Sequence, residues 1–316
     1  REHYPGANKH SLVIPFLMEA FTGAFHTWLP DVIAPQESFQ LTRYFIVGKG
    51  DVASIRDEVH RIHGDAVGTI SGRVLCKQQL DPESSVSVVM LDDQGDPVNQ
   101  FTTDAQGYFT GTITPGTYRL RVVADGRHTT PLDAFDPVVV EVGKKAYSEL
   151  FIDRPGQLAV TIYDDGGNLL PAKVTLMSTY PTQHLGKDPM DFLFDFKIGE
   201  SRRPTDLSWK FDPDRATRQF VEQNKLTATG RANLIVRPNT YEVIVSRGSE
   251  YTIHRETITI EAGKMANVEA VIKRVVDTEG YVAADMHMHT SNSLDSFTPV
   301  DDRVTSLAGE GVEFAV

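Results

Sequence analysis

The chain has 316 residues, with 31 lysines and arginines against 43 aspartates and glutamates, a formal charge of -12. No run of basic residues is longer than a pair such as Arg202-Arg203, which argues electrostatically against a nucleic-acid partner. No run of eighteen apolar residues reads as a membrane span, and a single cysteine, Cys76, excludes an intramolecular disulfide.

That length accommodates two or three domains. Residues 1–66 read as the tail of an upstream β-domain plus a connecting helix. The apolar part of residues 11–34 is interrupted by Pro15, Glu19, His26 and Pro30, the pattern of a buried segment rather than an anchor. Gln40 to Val47 is strand-like and closes on Gly48-Lys-Gly50. Asp51 then has the chemistry of an N-cap for a helix over Val52 to His63, with Val52, Ile55, Val59 and Ile62 as its apolar stripe and Gly64 as its stop. His60 and His63 are three apart, a spacing metal sites use. With no cysteine or further histidine nearby, the pair reads as part of a solvated helix face.

From Gly68 the texture changes to short alternating strands separated by turn residues, the signature of an antiparallel sandwich over residues 67–154. Three motifs carry a resemblance: Gly72-Arg-Val, Asp104-Ala-Gln-Gly107-Tyr-Phe, and Pro115-Gly-Thr-Tyr118. Together they resemble the carboxypeptidase regulatory-like family of immunoglobulin-like sandwiches, which implies a fold and no chemistry. A second copy is expected over residues 155–275. There Gln157 to Ile162 matches the opening strand, Gly230 corresponds to Gly107, Pro238-Asn-Thr-Tyr241 to Pro115-Gly-Thr-Tyr118, and Gly263-Lys to Gly143-Lys. An insertion at about 178–225 carries Asp191-Phe-Leu-Phe-Asp-Phe196. Its aromatics suggest an ordered element packed on a downstream domain. Tyr180, His184 and Trp209 could line a pocket, though packing roles suit them better.

Residues 276–316 differ again. Tyr281-Val-Ala-Ala-Asp285 has strand character and runs into Met-His287-Met-His289-Thr290. Alternate side chains of an extended chain share a face, so His287 and His289 project together from a strand tip, with Asp285 and Asp295 nearby. Such a set suits zinc, manganese or iron. Thr298 is the expected N-cap and Pro299 the first residue of a helix ended by Gly309 and Gly311, followed by a strand over Val312 to Val316. Strand, loop, helix, strand is how an α/β barrel opens, with its chemistry at the carboxyl ends of strands. Arg1 is no initiator and the last strand reads as stopping in mid-course, so the chain is expected to be a piece of a longer protein.

Asp285-x-His287-x-His289-Thr290-x-x-Ser293 resembles the first motif of the PHP (polymerase and histidinol phosphatase) superfamily. Val245-Ser-Arg-Gly248-x-Glu-Tyr251-Thr, Ser293-x-Asp295-Ser296 and Asp302-Arg303-Val-x-Ser-Leu307 are similar to its CehA/McbA-type metallohydrolases. The resemblance implies a distorted α/β barrel with a multinuclear divalent centre hydrolysing phosphoester, carbamate or amide bonds of a small-molecule substrate, and slightly favours an extracytoplasmic location. His287, His289 and Asp295 would be metal ligands, Asp285 would orient a histidine from behind, and three ligands alone would leave this chain inactive. The expected fold class is therefore mainly β: tandem immunoglobulin-like sandwiches, then the first βαβ unit of a PHP-type barrel over 276–316. Two alternatives stay open. An amidohydrolase also opens with HxH after a β-sandwich, and the sandwiches could serve as a binding or spacer module without activity.

Overall fold

The computed structural model describes residues 12–18, 21–27, 35–36, 44–128, 130–179, 200–201, 219–293 and 296–316. Near the N-terminus β1 (Leu12–Met18) and β2 (Phe21–Thr27) pair as an antiparallel hairpin. Residues 44–48 form no strand, contrary to the strand expected over 40–47. Phe45 is 94 % exposed, and β-propensity without a ladder partner does not hold a strand.

Helix α1 (Val52–His63) begins and ends where its sequence signals place it. Asp51 accepts the Ser54 amide at 2.9 Å, and Gly64 closes the helix in the left-handed conformation. Its packed face is rotated from the expected stripe: Ala53 and His60 are buried, whereas Val52 and Ile55 are exposed. Neither histidine pattern nor apolar spacing could show that the helix rests against strands over 97–102 and 108–113. At that contact Asp57 takes both the amide and the hydroxyl of Thr112 at 2.6 Å, and His60 turns its Nδ1 to Asp65 at 2.8 Å. His60 is thus interior, not solvated. Asp51→Ala is expected to lower stability by about 1 kcal/mol and Asp51→Asn by much less, read as denaturant midpoints at constant slope.

The first sandwich is built from β3 (Gly68–Cys76), β4 (Ser87–Leu91), β5 (Pro97–Thr102), β6 (Tyr108–Ile113), β7 (Gly116–Val123), β8 (Val138–Val140) and β9 (Lys145–Ile152). Its sheets run β6-β3-β9 and β5-β4-β7-β8, with β3 and β9 parallel. Alternate positions point inward, so Ile70, Val74, Val88, Met90, Phe101, Phe109, Leu120 and Leu150 form one core.

The second sandwich repeats this plan with β10 (Gly156–Tyr163), β11 (Ala172–Thr179), β12 (Glu200–Ser201), β13 (Gln219–Thr227), β14 (Arg231–Val236), β15 (Asn239–Ser246), β16 (His254–Ile260) and β17 (Met265–Val271). The orders are β14-β10-β17 and β12-β13-β11-β15-β16, and β10 pairs β17 in parallel as β3 pairs β9. Among the described strands of the repeat, β12 alone has no counterpart. The repetition extends to single bonds. The Gly107 carbonyl accepts Val74 N at 2.9 Å and the Gly230 carbonyl accepts Ile162 N at 2.8 Å. Both glycines have positive φ, and a Cβ would come within 2.6 Å of the Val74 oxygen in one case and 2.8 Å of the Leu170 nitrogen in the other. Each core is also closed by a tyrosine bonded back four residues, Tyr118 to the Thr114 oxygen at 2.9 Å and Tyr241 to the Arg237 oxygen at 2.6 Å.

Strand pairing reaches Thr179 on β11 and Gln219 on β13, so the insertion is shorter than 178–225. Tyr180, His184, Asp191 to Phe196, Arg202, Arg203 and Trp209 lie outside the described residues.

A loop after β7 joins the sandwiches. Gly126 lies against Pro155 and Ile235, Arg127 donates to the Asp153 carbonyl at 2.7 Å, and His128 Nε2 donates to the Pro238 carbonyl at 2.8 Å. Burial, outweighing that bond, holds the His128 pKa below its usual value. Neutral imidazole therefore favours the folded joint: this contribution is complete above about pH 6.5 and fades as pH falls through the lower folded value. Wild type is expected to lose denaturant resistance between pH 7 and 5 more steeply than His128→Gln, which keeps a donor without titrating.

A parallel strand–helix–strand unit ends the chain: β18 (Ala284–Asp285), α2 (Val300–Glu310) and β19 (Phe314–Ala315), with Ala284 opposite Phe314 and Asp285 opposite Ala315. Both strands are shorter than the sequence suggested, and Tyr281 is 81 % exposed. Among the described residues these two strands pair with each other alone, so they are held only over the few residues where both ladders meet. The helix starts one residue later than expected. Pro299 takes the N-cap position without a side-chain cap, while Thr298 is buried in the preceding loop with its amide on Ser296 Oγ at 3.2 Å.

Gly309 does not end α2 but forms its contact. It is buried against β11 and β13, where a Cβ would stand 2.6 Å from Leu226 and 3.0 Å from the Ala172 oxygen. Around it Lys173 pairs with Glu310, and Arg247 donates to the carbonyls of Pro171 and Ala308 while stacking over Tyr251. The helix is thereby fixed to the second sandwich by packing and by satisfied carbonyls at its C-terminal turn. No helix among the described residues is long and apolar enough to cross a membrane.

Candidate metal centre

Past the C-terminal end of β18 the chain stays close to β19, and the Met288 amide reaches the Val316 carbonyl at 3.4 Å. Two side bonds shape this loop. Asp285 Oδ1 accepts the His287 amide at 3.1 Å, and Arg303 Nε, from the first turn of α2, donates to the His289 carbonyl at 3.0 Å. Between these anchors the imidazoles turn to the same side. Their Nε2 atoms are 2.9 Å apart and their ring centroids 5.0 Å apart at an interplanar angle of 50°.

Two Nε2 atoms at that distance share one proton between them or direct two lone pairs at a common point. Adjacent nitrogens on a tetrahedral zinc, with bonds of 2.0–2.1 Å, lie about 3.3 Å apart. The pair needs to open by only a few tenths of an ångström to take one cation. His287 is exposed and His289 half-buried, so the point they face is reached from solvent. As a donor set they fit part of a divalent site. Among the described residues no group of three or more histidine, cysteine, aspartate or glutamate side chains surrounds one point.

His287 and His289 come together. Asp285 is adjacent but its carboxylate holds a backbone amide rather than an imidazole, so here it shapes the loop instead of a ring. Asp295 lies outside the described residues. Arg303 and Arg247 belong to motifs visible in the sequence, yet nothing there assigned them a role. Their contacts, fourteen and sixty-one residues away in the chain, are tertiary.

The family profile of the carboxypeptidase regulatory-like domain matches residues 69–147, within the first sandwich. No curated protein matches the chain. Among solved structures, the TIE protein of Bacillus anthracis is 14 % identical over 66 % of this chain and 34 % of its own, with a TM-score of 0.25. The chain thus spans about a third of that protein. A minor pilin of Streptococcus agalactiae is 16 % identical over 66 % of this chain and 97 % of its own, TM-score 0.31. Shaft pilin SpaA of Lactobacillus rhamnosus GG is 8 % identical over 67 % and 99 %, TM-score 0.35.

Proposed function

We propose that this chain carries the opening βαβ unit and part of the metal site of a metal-dependent hydrolase, mounted on two β-sandwich modules. The carrying observation is the convergence of His287 and His289 Nε2 at 2.9 Å just beyond the carboxyl end of a parallel strand, the place where α/β barrels keep their chemistry. A second observation supports it. Val282, Met286 and Phe314 are exposed around β18 and β19, although parallel strands are ordinarily covered on both faces. Further α/β layers would cover them.

In this reading His287 and His289 are ligands, Asp295 a third, and Asp285 and Arg303 hold the loop that presents them. A bound divalent cation would supply Lewis acidity and a water acidified toward neutrality for attack on a phosphoester, carbamate or amide. Zinc, manganese and iron all suit the donors. Two or three ligands hold such an ion weakly, so the chain by itself is expected to bind metal but not to turn over substrate. Titration with Co(II), followed by its visible absorption, tests the site. Wild type is expected to bind, and the His287→Ala, His289→Ala double variant to lose that binding. Equal binding by the two proteins would remove the basis of the hydrolase reading.

The match over residues 69–147 favours a second role for the sandwiches themselves. As a carboxypeptidase regulatory-like module and its repeat, residues 67–275 act as a spacer or contact module, a role compatible with the first.

A further inference from the structure

The second sandwich is joined to the histidine pair by a continuous series of contacts. Its strands β11 and β13 seat Gly309 where an added Cβ would stand 2.6 Å from Leu226 and 3.0 Å from the Ala172 oxygen, and Lys173 and Arg247 clamp the same end of α2. Both contacts fix where the helix lies. From the helix's first turn Arg303 reaches back to the His289 carbonyl, with its own amide bonded to the Pro299 oxygen at 3.0 Å. On the other side of the loop, Asp285 holds the His287 amide. The peptide that carries both imidazoles is therefore held at its beginning by its own strand and at its end by a helix anchored on the sandwich.

We propose that Arg303 is a positioning residue that transmits the seat of α2 on the second sandwich to the His289 ring, setting the spacing of the two Nε2 atoms for a divalent cation. The sandwich is then part of the site rather than a tether. This rests on the metal reading above and adds to it a determinant outside the ligands. The bond lies fourteen residues from its acceptor and is made by Nε, not by the terminal nitrogens of the fork. That detail sets the test. Glutamine places an N–H donor at the same number of bonds from Cα as arginine Nε. Lysine keeps the charge but has a methylene at that position, and methionine keeps the stem without a donor.

The experiment is a Co(II) titration of wild type and of Arg303→Gln, Arg303→Lys and Arg303→Met, each first compared with wild type by thermal unfolding. Arg303→Met and Arg303→Lys are expected to weaken cobalt binding by roughly tenfold, the low end for outer partners of metal ligands, and to shift the visible band. Arg303→Gln is expected to restore both affinity and band. Retention by lysine with loss in glutamine would show that charge matters rather than the bond, and overturn the proposal. So would wild-type affinity in all three variants. These outcomes differ from failure of the metal reading itself, in which wild type and the double histidine variant bind alike. If any variant unfolds, amide exchange of residues 287–290 in Arg303→Gln decides: protection equal to wild type supports the bond, and lost protection overturns it.

Discussion

Tyr241→Ala is expected to cost the second sandwich about 3–5 kcal/mol, enough to unfold it in a module of ordinary stability. Tyr241 is 1 % exposed and among the largest fully buried side chains of the described chain. It packs with Val174, Leu176, Val243 and Ile260, so truncation removes buried ring area and leaves a cavity that rigid strands on both sides cannot close. Tyr241→Phe separates the ring from its hydroxyl. It loses only the bond to the Arg237 carbonyl, about 1 kcal/mol. The pH profile provides a second readout. Burial holds the phenol far above the usual tyrosine range. Its contribution is complete below about pH 10 and declines as pH rises beyond it, because the unfolded chain ionises first. Chemical denaturation from pH 8 to 11 is expected to show this loss in wild type and less of it in Tyr241→Phe. Identical alkaline slopes would mean that other groups carry it.

The second large effect is expected at Gly309→Val. The new Cβ would meet Leu226 at 2.6 Å and the Ala172 backbone oxygen at 3.0 Å. Leu226 can turn aside, but Ala172 belongs to a paired strand and cannot. Overpacking of this kind costs about 1–3 kcal/mol. Here the strain is relieved by lifting α2 from the sheet. The sandwich is expected to keep its own unfolding transition, while amides of 300–310 lose hydrogen-exchange protection and 172–176 become more accessible. If Arg303 couples helix to loop, cobalt affinity falls with them. Gly309→Ala, with a single methyl at the same contact, is expected to fall between the two. Unchanged protection across 300–310 in the valine variant would show that the helix is not seated as the structure places it.

Much of the architecture could be read from residue order because it rests on local rules. Alternation places Leu158, Val160 and Ile162 on one face without knowledge of the partner sheet. The positive φ at Gly107 and Gly230 needs glycine wherever that turn occurs, which is why the repeat survives an insertion between its strands. Asp51 and Gly64 bracket α1 for equally local reasons. The errors share a cause. The strand expected over 40–47, the extra residues of β18 and β19, and the stripe on α1 all depended on which neighbour the chain would meet. His60 reads as solvated only until α1 is laid on β5 and β6. Gly309 reads as a helix stop only until β11 and β13 are found beneath it.

The candidate site divides in the same way. Spacing of two placed His287 and His289 on one side, and the strand–loop–helix–strand pattern placed them beyond a strand end, since both follow from backbone periodicity. That their Nε2 atoms approach to 2.9 Å, that Asp285 holds an amide, and that Arg303 and the second sandwich fix the loop were decided only in three dimensions. Periodicity assigns each side chain a face within its own segment. The distance between atoms of different segments is set by how those segments pack, and no order of residues along one strand states it.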